Sequence, residues 1–398
     1  MTARGSASVP TETTNPYASP AEADWKRRLA GALHYSGVLG IVRGISRSFE
    51  VETRRGKRLR RVDGSRYAIL CYHRVGTEGV PLFSTLPPAV FEAQMRFLRR
   101  NYRLVSLEQL YSELQDPASR GQAVAVTFDD GYADTYHNAF PILRRYQIPA
   151  TVFVIVGSIE SGEVAWYDKT FLALKVYPGA TLEIELDRIR RFALDSGAAR
   201  LSAAMQINNW LRTVPERRRR EFCAALERRF ALPPAALAGR MLNWSQVREM
   251  RDAGIAFGSH TMNHPAVSRL DETEAEEELG MSRHLLEERL GSLAPDFAFP
   301  FGKPADCGPL ASAQLAAYGY RMAVTTSYGL NTPGANPYAL RRISLEDARS
   351  LPVFALNLNL AFCWMEDSEP SKVEPAGCHE WAPLAERATS SSARNKHA

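Results

Sequence analysis

The stretch Ala123-Val124-Ala125-Val126-Thr127-Phe128-Asp129-Asp130-Gly131 decides how this chain is read. Its apolar first half reads as a buried strand. Two adjacent carboxylates at the end of such a strand are costly. Ionised together they repel, and burial adds to the penalty. A divalent cation on one of them removes most of that cost, because it becomes the largest local charge. The other aspartate is then free to handle a proton.

Partners for the cation lie in Gly258-Ser259-His260-Thr261-Met262-Asn263-His264. Two imidazoles and one carboxylate form a ligand set for zinc or a similar metal with open coordination positions. His260 and His264 are four residues apart, a spacing that sets both rings on one side of a helical turn. A lone pair of this kind carries little information. Here it follows a strand and a Gly-Ser turn, and an Asp-Asp pair closes an earlier strand, so the set points to metal-assisted hydrolysis.

Outward from these two stretches, strands and helices alternate. Strands are expected at 67–72, 123–126, 150–156, 255–257, 296–299, 321–325 and 339–343, with a short one at 103–106. Helices are expected at 88–101, after the Ser106 cap, at 134–146, 244–253, 271–290 and 309–318. This order predicts an α/β fold built as a barrel of parallel strands, whose post-strand loops share one rim. His73, Asp129, Asp130, His260, Pro300 and Arg342 all fall at or just past expected strand ends, so the architecture would gather them. The barrel is assigned to 63–160 and 241–365. Residues 161–240 show mostly helical spacing and read as a helical insertion. Residues 366–398 read as a polar tail.

The chain has 398 residues, 45% hydrophobic and 23% charged, with a net charge of +5. These values suit a soluble protein with a large core, and nothing in the sequence has nucleic-acid-binding spacing. The five cysteines, Cys71, Cys223, Cys307, Cys363 and Cys378, are scattered and odd in number. They read as free thiols of a reducing compartment. Residues 1–62 read as a disordered start followed by an amphipathic, basic segment. Lys26-Arg27-Arg28, the uncharged 29–42 and a basic flank from Arg54 to Arg61 suit a helix lying on an anionic membrane surface. A helix packed on the barrel, with a solvated basic loop, fits as well. No stretch makes a convincing signal peptide, so the expectation is a cytoplasmic protein, peripheral at the inner membrane face under the first reading.

The motifs Thr127-Phe128-Asp129-Asp130-Gly131 and His260-Thr261-Met262-Asn263-His264 resemble those of the polysaccharide deacetylase family (NodB-homology domain, carbohydrate esterase family four). The similarity extends through Tyr72-His73-Arg74-Val75, Phe140-Pro141-Ile142-Leu143, Ile148-Pro149-Ala150-Thr151, Trp244 and Phe297-Ala298-Phe299-Pro300-Phe301-Gly302. It covers about 67–160 and 241–345. The resemblance implies a distorted (β/α) TIM-like barrel that hydrolyses N-acetyl, sometimes O-acetyl, groups on sugars. It implies Asp129 as general base and Asp130, His260 and His264 as ligands of a divalent metal: zinc first, with cobalt, nickel or iron accepted by the same donors. It implies the Phe301 backbone N–H, after Pro300, as an oxyanion donor.

Two departures stand out. The arginine that often precedes that proline by two residues is replaced by Ala298, and the usual Leu-x-His is absent from the region Ala339-Leu340-Arg341-Arg342-Ile343-Ser344. Phe297-Ala298-Phe299-Pro300 is similar to the branch acting in exopolysaccharide or surface-glycan assembly. His73 is the remaining rim candidate for the leaving-group acid, with a hydrogen bond to carboxylate or substrate as its other reading. Arg342 stands as a replacement for the missing arginine or as a structural ion pair. Trp166 is expected to line the cleft and Trp244 to pack in the core; His137 and His284 are expected to face solvent. The expected partner is an acetylated amino-sugar glycan or a lipid-linked saccharide. Two other readings stay open: a glycan-binding protein of this fold without activity, and a hydrolase of a small non-sugar amide.

Overall fold

The computed structural model describes residues 65–77, 85–230, 232, 237, 239–309, 311–344 and 349–362, with the backbone alone of 51–52, 58–59 and 363–364. Apart from the paired Val51–Glu52 and Arg58–Leu59, the N-terminal segment expected at 1–62 lies outside the described residues, as does the tail at 366–398.

Seven strands close a barrel: β1 (Arg66–Tyr72), β2 (Gln122–Phe128), β3 (Ala150–Val154), β4 (Ala256–Ser259), β5 (Asp296–Ala298), β6 (Met322–Tyr328) and β7 (Leu340–Ser344). They neighbour one another in chain order, every pairing is parallel, and β7 returns to β1. β1 and β3 are buried along their whole length, as parallel strands covered on both faces must be. Alternation divides them between two cores. Tyr67 and Ile69 pack with Ala123, Ala125, Phe153 and Val324. Ala68, Leu70 and Tyr72 pack with Phe91, Met95 and Leu98 of helix α1 (Pro88–Asn101).

Around the barrel run α2 (Leu107–Gln115), α3 (Phe140–Tyr146), α4 (Val156–Ser161), α5 (Trp166–Val176), α6 (Gly197–Leu211), α7 (Glu216–Phe230), α8 (Trp244–Asp252), α9 (Ser282–Leu290), α10 (Ala311–Ala317) and α11 (Leu351–Trp364). Among the described residues two π-helical turns, with i→i+5 hydrogen bonding, interrupt the helical runs: Thr135–Ala139 before α3 and Glu276–Met281 before α9. Among the described residues no helix is long and apolar enough to cross a membrane.

Three local expectations are corrected. Residues 103–106 form only a single bridge, Leu104 to Val124, because the Ser106 hydroxyl takes the Gln109 N–H and starts α2 instead. The span read as helical also holds a hairpin, Thr181–Glu185 with Ile189–Ala193, whose buried Leu182 and Phe192 sit directly opposite. His260 and His264 do not lie on a helix. Thr261 and His264 both have left-handed φ, +67° and +58°, and the Thr261 hydroxyl accepts the His264 N–H at 2.8 Å. A tight turn therefore does the work assigned to helical spacing.

Candidate active site

The paired aspartates leave β2 and face opposite ways. Asp129 has ordinary backbone and its N–H donates to Tyr72 O at 2.9 Å. Asp130 has φ +72°, which turns its side chain aside. Such a φ in a non-glycine costs about 1–3 kcal/mol and persists only where the surroundings enforce it. Among the described residues, four of the five non-glycine residues with positive φ are at this site: Asp130, Thr261, His264 and Phe301.

Asp129 meets Arg342, whose Nη1 and Nη2 donate to the two carboxylate oxygens at 2.7 and 2.6 Å. The guanidinium is itself aimed by Nε, which donates to Thr325 O at 2.8 Å. Both side chains are 1–2% exposed. Burial favours the neutral acid, but the Arg342 charge and its two hydrogen bonds outweigh it and hold Asp129 well below the usual carboxylate range. Asp130 has no such cation. Burial, with Asp129 nearby, pushes it up to about 7. The two carboxylates are thus separated in basicity by their surroundings alone.

His260 Nε2 and His264 Nε2 each lie 3.6 Å from Asp130 Oδ1, and the three donor groups fall within 4.8 Å of one another. Burial lowers His260 to about 4 and His264 well below its ordinary value, so both rings are neutral and keep a lone pair. The His260 Nδ1–H donates to Ala298 O at 2.7 Å, which turns the Nε2 lone pair toward Asp130. A carboxylate and two neutral imidazoles converging on one point fit a divalent cation.

The histidine loop is braced on several sides. Val156 and Gly157, at the start of α4, donate their N–H groups to Thr261 O and Met262 O at 3.1 and 2.9 Å. A Cβ on Gly157 would stand 2.6 Å from Met262 O, so this contact requires glycine. Glu278 is fully buried and takes both the backbone N–H and side-chain amide of Asn263 at 2.8 Å. Trp166 Nε1 donates to His264 O at 3.1 Å.

Pro300 is buried, and Phe301 adopts φ +60°. The loop is pinned by Gly302 N–H on Pro300 O at 2.6 Å and by the Thr326 hydroxyl on Phe301 O at 2.6 Å. The Phe301 ring lies 4.9 Å from that of His264.

A cavity of about 250 Å³ opens onto these groups. Asp129, Asp130, His260, His264, His73, Trp166 and Phe301 all line it. Half-buried His73 follows β1, with a ring nitrogen within 4.8 Å of the Asp129 carboxylate and the Cys71 sulfur. Arg342, read from the sequence as a replacement for the missing arginine or as a structural ion pair, lies behind Asp129 and does not line the cavity, so a direct substrate contact is not its role. Trp244 is half-buried, packs on the core and donates to Glu160 at 2.7 Å, away from the cavity. His137 and His284 are exposed, as expected; Cys71, Cys223 and Cys307 form no disulfide, while the Cys363 side chain and Cys378 lie outside the described residues.

The sequence reading missed the far wall. Tyr167 on α5, Met205, Asn208 and Asn209 on α6, Arg212 just beyond it, and Thr326 on β6 also line the cavity. The buried Tyr167 hydroxyl lies within the electrostatic reach of the Asp130 carboxylate, and burial together with that charge raises it well above its ordinary value; its ring is 5.0 Å from His264. The run Trp166-Tyr167-Asp168 was visible, but helical periodicity does not say which of its side chains faces a distant strand end.

Comparisons with known proteins agree with this picture. A family model described as polysaccharide deacetylase matches residues 116–323, somewhat more than half of the chain. A Bacillus subtilis (strain 168) protein, provisionally named polysaccharide deacetylase YxkH, is 23% identical over 288 residues, spanning 72% of this chain and 74% of its own. The poly-beta-1,6-N-acetyl-D-glucosamine N-deacetylase of Staphylococcus aureus is 30% identical over 86 residues, 21% of this chain and 29% of its own length. Among solved structures, the Streptococcus pyogenes deacetylase PplD in complex with acetate superposes with a TM-score of 0.50 at 20% identity, covering 75% of this chain and 99% of PplD. That likeness establishes the distorted seven-stranded barrel as the shared fold.

Proposed function

The chain belongs to the polysaccharide deacetylase family, hydrolases of non-peptide carbon–nitrogen bonds, and we propose that it removes N-acetyl groups from an amino-sugar glycan or lipid-linked saccharide. One observation carries this reading: Asp130, His260 and His264 converge within 4.8 Å beside an ionised Asp129, all opening on one cavity. The donor set suits zinc, and the same atoms accept cobalt, nickel or iron. A cation held there supplies Lewis acidity to the acetyl carbonyl and to the attacking water.

The rest falls to the chain's own side chains. Asp129 receives the proton of the attacking water. Arg342 keeps it ionised and fixes the direction of its lone pairs. The strained Phe301 turn presents a backbone N–H for the oxyanion. His73, on the cavity rim, is the side chain we assign to return a proton to the departing amine. The Arg342 fork also answers the loss of arginine at Ala298, and so counts against a decayed, merely glycan-binding protein.

Purified protein mixed with an N-acetylglucosamine oligomer should release acetate. A chelator should stop this and zinc should restore it. Metal retained with no acetate from any glycan would favour the binding protein, whereas release from small amides alone would favour the non-sugar hydrolase. We also propose that residues 26–61 hold the protein to an anionic membrane surface. Equal co-sedimentation with anionic liposomes of chains with and without that segment would refute this.

A further inference from the structure

The loop that carries Phe301 is held from outside the barrel. Phe301 and Gly302 both have left-handed φ, +60° and +64°. Glycine takes such a φ freely, but Phe301 does not and needs restraint from its neighbours. Part of it comes from Thr326, whose backbone N–H donates to Gly302 O at 3.0 Å. The rest comes from the insertion. Arg212, the residue closing α6, donates through Nε and Nη2 to the two oxygens of Asp306 at 2.8 and 2.6 Å. Asp306 is 5% exposed and also accepts the Lys303 N–H at 3.1 Å, which closes the loop on itself. The same guanidinium lies 4.8 Å from the centre of the Phe301 ring, which in turn packs on His264. One side chain therefore touches both ends of the loop and borders the cavity.

We infer that Arg212 is a positioning residue: by gripping Asp306 and covering Phe301, it fixes the loop whose backbone N–H faces the reacting carbonyl. The catalytic part of this inference rests on the deacetylase reading. The grip is a property of the fold and can be read without turnover. A fork and a flat face are both needed, so lysine cannot replace arginine here.

The test uses Arg212→Ala, Arg212→Lys and Asp306→Asn in the full-length, zinc-loaded chain, with an N-acetylglucosamine oligomer as substrate. A misplacement of about 1 Å costs on the order of 100-fold in rate. All three variants should therefore lose about tenfold or more in kcat, with KM and zinc affinity within about twofold. Amide hydrogen exchange at 300–307 should quicken about tenfold while that at 123–128 stays unchanged. Arg212→Ala combined with Asp306→Asn should be no worse than either alone. A raised KM with kcat intact would make Arg212 a substrate contact instead. Unchanged exchange at 300–307, or quickened exchange throughout the barrel, would equally overturn the inference. If the unaltered chain releases no acetate, the deacetylase reading fails, and the exchange result still decides the grip.

Discussion

The cavity has two walls of different origin. The barrel wall presents Asp129, Asp130, His260, His264 and Phe301, all on loops just past strand ends, most with strained backbone. The insertion wall presents Trp166, Tyr167, Asn208 and Asn209 from ordinary helices and Arg212 from the end of α6. Strain accumulates where a donor must aim at one point in space. It is missing where a side chain needs only to face a volume. The barrel wall should therefore govern the chemical step, and the insertion wall should govern what is admitted and how firmly the chemistry is held.

The largest effects should come from the barrel. Asp129→Asn should lower kcat by about 10³-fold, within the usual range for a general base, with full metal content by elemental analysis. His264→Ala should also abolish turnover, but with the metal gone, which separates the two roles. Arg342→Met should come next, leaving Asp129 charged and alone in the interior. A loss of about 3–5 kcal/mol of stability in urea unfolding is expected, together with a fall in kcat. Tyr167→Phe tests whether the insertion touches the chemistry at all. If the buried hydroxyl beside Asp130 orients that ligand, its removal should weaken zinc binding by about tenfold, read by competition with a chromophoric chelator. The smallest effect should be Asn209→Ala, a rise in KM of about fivefold, worth one hydrogen bond, with kcat unchanged. If Asn209→Ala lowered kcat as much as Asp129→Asn, the contrast between the walls would be lost.

The same contrast explains what could be read from the sequence. Strands β1 to β7 were legible because parallel strands in a barrel are uninterrupted apolar runs, and residues at their ends share a rim whatever their separation. Asp129, Asp130, His260 and His264 were legible for that reason. The turn holding the histidines was mistaken for a helix because a spacing of four fits both, and only the positive φ values at Thr261 and His264 distinguish them. Arg342 was noticed, but its grip on Asp129 spans 213 residues and leaves no local trace. Arg212 and Tyr167 were missed outright. Helical spacing tells which residues share a face, and the packing of α5 and α6 against the rim is decided by tertiary contacts.

The turn Glu276–Met281 gives the helical run before α9 one residue more than regular winding would place there. Through it Glu278 points inward to grip Asn263, between the two metal-site histidines. Removing one residue from that turn would straighten the run and rotate whatever lies upstream by about 100°. The carboxylate would swing toward solvent and the histidine turn would lose its anchor. A length change in a helix that carries no reacting atom would thus act as a tuning screw on the candidate metal site.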